Sequence, residues 1–366
     1  MQHFSGSYAP TDVQFLLKPI DVPNTPIADK EALIQSGHKH YAELLTHETA
    51  PSPDYLALFH AALRQNRLAM ARHLLILARD IAMRRSNPIA LVSLARAGTP
   101  VGVLLKHVLQ RYFSRSAQHY SISIIRDLGI DHNALRHILR HHPPEAIAFI
   151  DGWTGKGAIA EQLATSLTDF ARECGVILTQ ELFVLSDLAG VAACAATDED
   201  YLIPSSILNA TVSGLISRSV YTPADWPADD YHGCLYYHWL RPYDLSRFFI
   251  SDLLDAIAQL WRDGERGHGE AVSDPSQRRQ ISLQVLDWVK RRYGVVSSHH
   301  VKPGIGEATR VLLRRHADRL LLRDAKAEAV RHLRWLAEQK NVPIEHCPTL
   351  PYHAIALIKT VRPVHD

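Results

Sequence analysis

The sequence predicts an α/β protein built on a parallel sheet, followed by a smaller α/β domain at the C-terminal end. Ile89–Leu94 is a mostly apolar run of strand length, as expected for a strand that is buried on both faces of a parallel sheet. Predicted strands and helices then alternate, which is typical of a doubly wound sheet. A final strand–helix pattern begins near Val301, after the polar residues 297–300.

The elements follow from apolar periodicity and from the residues that end each run. Apolar side chains recur near the helical period from Tyr55 to about Arg84, and Pro88 follows that helix. Gly175 is a plausible stop for the helix that precedes it. The elements predicted after the first helix are strand 89–94, helix 101–113, strand 120–125, helix 131–140, strand 146–150, helix 158–174 and strand 182–185.

Three regions are predicted from these patterns. Residues 1–54 form an irregular N-terminal arm with short helices, and residues 55–298 form the α/β domain with an elaboration at 204–298. Residues 301–366 form the small C-terminal domain, which carries twelve Lys or Arg against seven Asp or Glu. This uneven charge indicates a polyanionic partner.

Composition excludes several classes of protein. The chain is 46% hydrophobic and 21% charged, and no apolar run is long enough to cross a bilayer. The N-terminus lacks the features of a secretory signal, so a cytoplasmic protein without membrane contact is expected. The four cysteines form no CxxC pair and the 22 histidines form no HExxH motif, so no protein-held metal site is predicted.

Two loops follow predicted strands and have the composition of anion-binding turns. Arg96, Ala97, Gly98 and Thr99 follow the first strand, and the helix starting at Pro100 aims its positive end at the same place. The second loop starts at Asp151 and continues as Gly152, Trp153, Thr154, Gly155, Lys156, Gly157 and Ala158. Ile150 excludes a GxxxxGK loop. Ordinary strand-to-helix turns are the alternative for both segments.

Together the two loops resemble those of the phosphoribosyltransferase family, which implies that the parallel sheet has the Rossmann-like fold of that family. The resemblance implies that residues 96–99 hold the pyrophosphate of phosphoribosyl pyrophosphate, with Mg²⁺ as cofactor. It further implies that Asp151 binds the ribose hydroxyls and that residues 154–158 bind the 5′-phosphate. Gly152 stands where that family usually has a second acidic residue. Arg126 and Asp127 lie where these enzymes often carry a mobile catalytic loop; an ordinary surface ion pair is the alternative.

Segments spread over most of the chain are similar to one bacterial family. They are residues 4–8, 15–20, 95–100, 120–127 and 207–215. The family is the phosphoribosyltransferase-like group associated with the tellurite-resistance (Ter) stress operon, also labelled cysteine protease StiP. Its members end in a Pelota-type RNA-binding domain. The resemblance implies an enzyme that binds phosphoribosyl pyrophosphate and acts in the biosynthesis of a ribonucleoside-like compound.

Two other functions are carried as alternatives. The first is a cysteine peptidase built on Cys234, which has His232 and His238 close by in sequence. A packed, inert cysteine would give the same local sequence. The second is an RNA-binding protein whose large domain senses a nucleotide.

The C-terminal domain carries the residues for RNA recognition. Residues 302–310 resemble the Pelota and kink-turn-binding signature, which implies that Gly304, Glu307 and Arg310 meet RNA. Arg310 and Arg314 lie one helical turn apart and so share a face. A docking domain with a solvated basic face is the alternative. Structured RNA and a second copy of the chain are the partners left open.

Overall fold

The computed structural model describes residues 4–222, 226–269 and 272–360. The predicted elaboration and C-terminal domain both include residues outside these ranges, and residues 361–366 are among them. No helix in the described ranges has the length and apolar character needed to cross a membrane.

The described part of the chain contains fourteen strands and nine α-helices, numbered in chain order. The strands are β1 (Gln14–Leu16), β2 (Lys18–Pro19), β3 (Ile89–Leu94), β4 (Ala117–Ile122), β5 (Ile124–Ile125), β6 (Gly129–Ile130), β7 (Ile147–Thr154), β8 (Leu182–Asp187), β9 (Cys194–Thr197), β10 (Gly233–Cys234), β11 (Val301–Pro303), β12 (Ala317–Leu322), β13 (Ile344–His346) and β14 (Ala354–Ile358). The helices are α1 (Ile27–Gln35), α2 (Pro53–Arg84), α3 (Gly98–Tyr112), α4 (His132–Leu139), α5 (Ala158–Cys174), α6 (Ser246–Arg262), α7 (Pro275–Tyr293), α8 (Ile305–Arg314) and α9 (Arg331–Gln339).

The large domain is a three-layer α/β/α sandwich. Its six strands are all parallel, in the order β1-β4-β3-β7-β8-β9. Leu91 of β3 packs into the layer of α2, α3 and α6, whereas its neighbour Val92 packs into the layer of α4 and α5. Successive side chains of a strand point to opposite faces, so a strand buried on both sides must be apolar throughout.

The predicted α/β architecture, with a parallel sheet and a smaller C-terminal domain, is confirmed. One strand is longer than expected: β7 continues through Asp151 to Thr154, because Asp151, Trp153 and Thr154 pair with Val184, Ser186 and Asp187 of β8. A glycine inside a strand does not end it when the neighbouring strand continues. The first half of the predicted phosphate loop is therefore sheet.

Other elements were missed because they are short or polar. The N-terminal arm supplies the edge strand β1, and β9 extends the opposite edge. Helix α7 begins at Pro275, with Asp274 accepting a hydrogen bond from the Ser276 N–H.

The C-terminal domain has a four-stranded sheet in the order β11-β14-β12-β13, with α8 and α9 packed on it. Its position is fixed by contacts from the rest of the chain. Asp200 accepts hydrogen bonds from the N–H groups of Ile305 and His353, and Glu31 of α1 pairs with Arg315. The predicted boundaries 1–54, 55–298 and 301–366 stay a prediction.

Candidate anion-binding site between the two domains

A cavity of about 630 Å³ lies where the arm, the carboxyl end of β7 and helix α8 meet. Parallel sheets place their ligand sites at the carboxyl ends of the strands, and volumes of this order suit small molecules. Asp151, Trp153 and Gly155 enter from the large domain, whereas Glu307 and Arg310 enter from α8. The cavity is therefore a composite of both domains.

The charge of the cavity is strongly positive. Among the described residues that line it are ten Lys or Arg side chains but only three carboxylates, Glu48, Asp151 and Glu307. The ten cationic residues are Lys30, Arg96, Arg126, Lys156, Arg218, Lys302, Arg310, Arg314, Arg315 and Lys340. Such an excess of one sign inside low-dielectric walls attracts anions of the opposite sign.

Arg314 is a half-buried cation of the lining that the protein compensates only in part. Within the described ranges no oxygen accepts a hydrogen bond from its guanidinium, and its Nε is buried without a partner. Burial, with Arg96 close by, holds the pKa of Arg314 well below its usual range, and Glu48 offsets only part of this shift. A cation that is partly removed from water is stabilised by pairing, so an anion in the cavity would supply the partner that Arg314 lacks.

Two lysines in the lining have lowered pKa values, which favours their neutral forms. Burial, together with Lys302 and Arg126, lowers the pKa of Lys156 to about 7. Burial, together with Arg218 and Arg315, lowers the pKa of Lys30 to about 8. The Lys156 ammonium donates to the backbone oxygen of Ser298. A bound anion would favour the charged form of both lysines.

Asp151 lies at the sheet side of the cavity. Burial raises the pKa of its carboxyl to about 6, although Arg310 and the Gly152 N–H oppose this shift. The Gly152 N–H donates to Asp151 Oδ1 at 2.7 Å. A carboxyl with such a pKa can take or give a proton near neutral pH.

Helix α8 carries a group of paired charges and packs against Trp153 of β7 beside the cavity. Arg310 donates to Glu307 Oε1 at 2.6 Å, and Lys302 Nζ lies 3.8 Å from Glu307 Oε2. Burial alone would raise the pKa of Glu307, but Arg310 and Lys302 lower it to about 2. A Cβ on Gly306 would lie 2.5 Å from Cε2 of Trp153, so a side chain there would prevent this approach.

The residues of the first predicted loop are only partly in the cavity. Arg96 lines it, donating to Glu48 Oε1 at 2.5 Å and to the Ile216 oxygen at 2.8 Å. Thr99 is buried in α3, where its hydroxyl lies 2.8 Å from that of Ser121. Gly98 packs against the backbone of Ile150. The structure therefore brings the Arg96 side chain, and not the Thr99 hydroxyl, to the cavity.

The second predicted loop contributes more. Residues 153–158 all line the cavity, although the Thr154 hydroxyl donates to Asp187 on its far side. Arg126 also lines it and pairs with Asp127, which stands outside the lining. The catalytic role predicted for Asp151, Arg126 and Asp127, and the binding roles of the loops, stay predictions.

The residues predicted to meet RNA face the large domain. Glu307, Arg310 and Arg314 line the cavity, and a Cβ on Gly304 would lie 2.6 Å from Leu188 Cδ1. Any side chain in place of Gly306 would collide with Trp153. The basic face of α8 is therefore a wall of the cavity in this arrangement.

Cys234, the candidate nucleophile, is packed in the core. It has no exposed surface, and burial raises the pKa of its thiol to about 12. The neighbouring His232 ring lies 2.8 Å from the Ser123 hydroxyl and is stacked on Tyr221. In the part of the chain that the structure describes, no hydrogen bond joins a histidine to any of the four cysteines. Within the same ranges, no three His, Cys, Asp or Glu side chains cluster as metal ligands.

Several cavity residues were missed from the sequence. Lys30, Tyr41 and Glu48 come from the arm, and Lys302 and Arg315 come from the C-terminal domain. Lys302 starts the segment 302–310 but was given no role there, and the other four lie in no motif because they reach the site through tertiary packing. The surplus of basic residues at 301–366 was a signal for Lys302 and Arg315 alone.

Comparisons with known proteins support one family. Residues 6–254 match the family model described as "Tellurite-like stress resistance cysteine protease StiP", and residues 280–360 match the "PELOTA RNA binding domain". A protein of Acinetobacter baylyi named Cysteine protease StiP is 42% identical over 368 residues, which cover 98% of this chain and 95% of that protein.

Solved structures add little. A serine palmitoyltransferase of Sphingomonas wittichii is 11% identical over 93% of this chain and 92% of that one, with a TM-score of 0.24. An aminotransferase of Eubacterium rectale is 10% identical over 93% and 84%, with a TM-score of 0.23. Scores this low carry no argument about fold or function.

The function predicted from the two loops is wrong on these comparisons. The family model and the Acinetobacter protein are both named as a cysteine protease, and neither is named as a phosphoribosyltransferase. They favour the alternative of a cysteine peptidase over an enzyme that binds phosphoribosyl pyrophosphate. A glycine-rich turn after a strand binds many anions, and so does not specify one reaction.

Proposed function

This chain belongs to the StiP family, and we propose that it is an enzyme whose substrate carries a multiply charged anion, held in the basic cavity between the two domains. The observation that supports this most strongly is Arg314, a guanidinium without a hydrogen-bonding oxygen in the described ranges. The excess of ten cationic side chains over three carboxylates in the lining points the same way. Phosphate groups suit arginine-rich sites because guanidinium forks match their oxygens.

The lining residues divide into two roles. Arg310, Arg314 and Lys156 reach the cavity from two sides and would bind the anion together. Asp151, with its pKa raised to about 6, would exchange a proton with the substrate. Because α8 supplies part of the lining, the C-terminal domain takes part in substrate binding.

The carboxylates of the cavity do not suit Mg²⁺, the cofactor that the sequence predicts. Mg²⁺ usually binds to one or two carboxylates together with substrate phosphates. Here Asp151 and Glu307 are among cations, and Glu307 is already paired with Arg310 and Lys302. The residues do not fit a protein-held Mg²⁺. Structured RNA, a homodimer and a phosphoribosyltransferase-like sheet stay predictions.

A titration of inorganic pyrophosphate at low ionic strength tests the anion site. Wild type should bind with a measurable heat, and Arg314→Gln should weaken binding about tenfold or more. The matched control is Arg331→Gln, since Arg331 lies on α9 in an exposed pair with Glu328. Absence of pyrophosphate binding by wild type would contradict the proposal, and so would equal losses in the two variants.

A second candidate function is the peptidase activity that the family name and the Acinetobacter protein's name state. The buried, protonated state of Cys234 means that such an activity would require this segment to open. Cleavage of an unfolded protein substrate should then be lost in Cys234→Ala and retained in Cys174→Ala. Retention of cleavage in Cys234→Ala would exclude Cys234 as the nucleophile.

A further inference from the structure

A second compartment of about 210 Å³ adjoins the basic cavity. The two share a wall that includes Tyr41, Arg96, Leu208, Asn209 and Arg314. A ligand anchored by its anion in the larger cavity can therefore place another part of the same molecule in the smaller compartment.

The smaller compartment has a different chemistry. Its own lining is made of hydroxyl and apolar side chains, and within the described ranges no carboxylate lines it. The side chains that it does not share with the basic cavity are those of Ala95, Ala97, Pro100, Ile124, Ile125, Ser205, Ser206, Val212, Ser213 and Ser219. All four of its arginines, Arg96, Arg218, Arg310 and Arg314, belong to the shared wall.

Two of the serines are buried without a partner. Ser206 and Ser219 are each 5% exposed, and neither hydroxyl has a hydrogen bond to any described residue. A buried hydroxyl without a partner costs stability. Serine hydroxyls move by rotation about one bond, so each can turn toward a ligand while the backbone stays in place.

Two of the four shared arginines are occupied by protein groups, and Arg314, which is not, is assigned to the anion of the proposed function. Arg96 is bonded to Glu48 and to the Ile216 oxygen, and Arg218 is bonded to the backbone oxygens of Tyr41, Leu44 and Ser219. A second anionic group would find fewer free donors here than in the large cavity. A cationic group would be repelled by the four guanidinium groups, and an apolar group would leave the hydroxyls unpaired.

We propose that this compartment binds an uncharged, hydrogen-bonding group, either hydroxylated or amide-bearing, that is covalently attached to the anion in the basic cavity. The inference rests on the proposed function, since the anion anchors the molecule. Ser206 and Ser219 determine which organic group is accepted. Their role is in binding specificity, and no step of the reaction is assigned to them.

Calorimetry with four probes tests the inference. Inorganic phosphate is the bare anion; glycerol 3-phosphate carries hydroxyls, 4′-phosphopantetheine carries amides and hexyl phosphate is apolar. Wild type should bind the hydroxylated or the amide ester about tenfold more tightly than phosphate, and hexyl phosphate with an affinity similar to that of phosphate.

The Ser206→Ala/Ser219→Ala double variant separates specificity from folding. It should lose the preference for that ester and keep its affinity for phosphate. Its melting temperature should be unchanged or higher, because the unpaired hydroxyls are gone. Ser116→Ala, at an exposed position, is the matched control and should behave as wild type.

The outcomes distinguish the two proposals. Equal binding of phosphate and all three esters would overturn the role proposed for the second compartment and leave the anion site intact. A double variant that keeps the preference for the ester would have the same consequence. Tightest binding of hexyl phosphate would show that the compartment is apolar in function. Failure of phosphate and every ester to bind would overturn the proposed function and this inference with it.

Discussion

The guanidinium carbon of Arg310 lies 4.4 Å from the ring centroid of Trp153, so that a cation from the C-terminal domain stacks on an aromatic ring at the end of strand β7. Such a contact stabilises the cation by an amount that grows as water is excluded. Arg310 is also bonded to Glu307, and both residues line the basic cavity. The interface between the domains and the candidate site therefore share the same side chains.

Glu307→Gln should strengthen anion binding while it weakens the fold. The substitution removes a carboxylate that lowers the positive potential of the cavity, so pyrophosphate should bind about five- to thirtyfold more tightly, or ~1–2 kcal/mol. It also breaks the half-buried pairing with Arg310 and Lys302, which should lower the free energy of unfolding by about 1–2 kcal/mol. Titration calorimetry and thermal unfolding measure the two effects.

The control for this substitution is Glu328→Gln, whose carboxylate pairs with Arg331 at the surface. Both measurements should stay close to wild type. Weaker pyrophosphate binding by Glu307→Gln would show that Glu307 contributes to the anion site by something other than its charge.

Anion affinity should fall as the pH rises from about 6 to 8. Lys156 has a pKa lowered to about 7, so it loses its positive charge within this range. Asp151 has a pKa raised to about 6, so it gains its negative charge at the lower end. Both changes disfavour an anion, and sulfate is the suitable probe because its own charge is constant over this range. Equilibrium dialysis of radioactive sulfate measures the affinity.

Substitutions of Lys156 and Asp151 test which residue causes each part of this pH dependence. Lys156→Met should remove the fall near pH 7, and Asp151→Asn should remove the fall near pH 6. Lys290→Met, in the last turn of α7, is the control and should leave the profile unchanged. Sulfate affinity that is constant or rises with pH in wild type would contradict the assigned charges.

Asp200→Ala should destabilise the contact between the domains. Asp200 accepts hydrogen bonds from Ile305 at 2.8 Å and from His353 at 2.7 Å, and its loss leaves two backbone N–H groups without acceptors. The free energy of unfolding should fall by about 2 kcal/mol or more. Asp200→Asn keeps one acceptor oxygen, so its free energy of unfolding should lie between those of wild type and Asp200→Ala. Urea unfolding monitored by fluorescence gives this order.

The exposed pair of Asp318 and Arg319 in the C-terminal domain supplies the comparison. Asp318→Ala should change the free energy of unfolding by less than about 1 kcal/mol. If Asp200→Ala also changed the free energy of unfolding by less than about 1 kcal/mol, α8 would not depend on the Asp200 carboxylate.

The cysteines should differ in reactivity. Cys174 is partly exposed, whereas Cys234 is fully buried with the pKa of its thiol raised to about 12. Iodoacetamide at pH 8 should label Cys174 first and leave Cys234 unmodified until the chain unfolds. Peptide mass mapping measures both sites. Rapid labelling of Cys234 in the native protein would show that its segment opens, and would strengthen the peptidase reading.

Local patterns were sufficient for the sheet but not for the site. Helix 158–174 and strand 89–94 are correct to the residue, because apolar periodicity and the glycine after Cys174 both act locally. Asp151 and Lys156 were also found from the turn that contains them. Family membership was recognised from segments spread over the chain, but the reaction inferred from the two loops was wrong.

The remainder of the site depends on tertiary structure. Lys30 and Glu48 are brought to the cavity by an arm whose sequence has no strong period. Whether Arg314 faces water or the large domain depends on how α8 docks. That docking requires Gly306, because a side chain there would collide with Trp153. Such long-range contacts leave no mark in local spacing.

Soaking crystals of the protein with tungstate would test the basic cavity most directly. Tungstate is a tetrahedral dianion, and the anomalous scattering of tungsten locates it without ambiguity. The account predicts a strong peak within hydrogen-bonding reach of the Arg314 guanidinium, inside the cavity shared by Lys156 and Arg310. An unoccupied cavity, with tungstate bound only at surface cations such as Arg291, would contradict it.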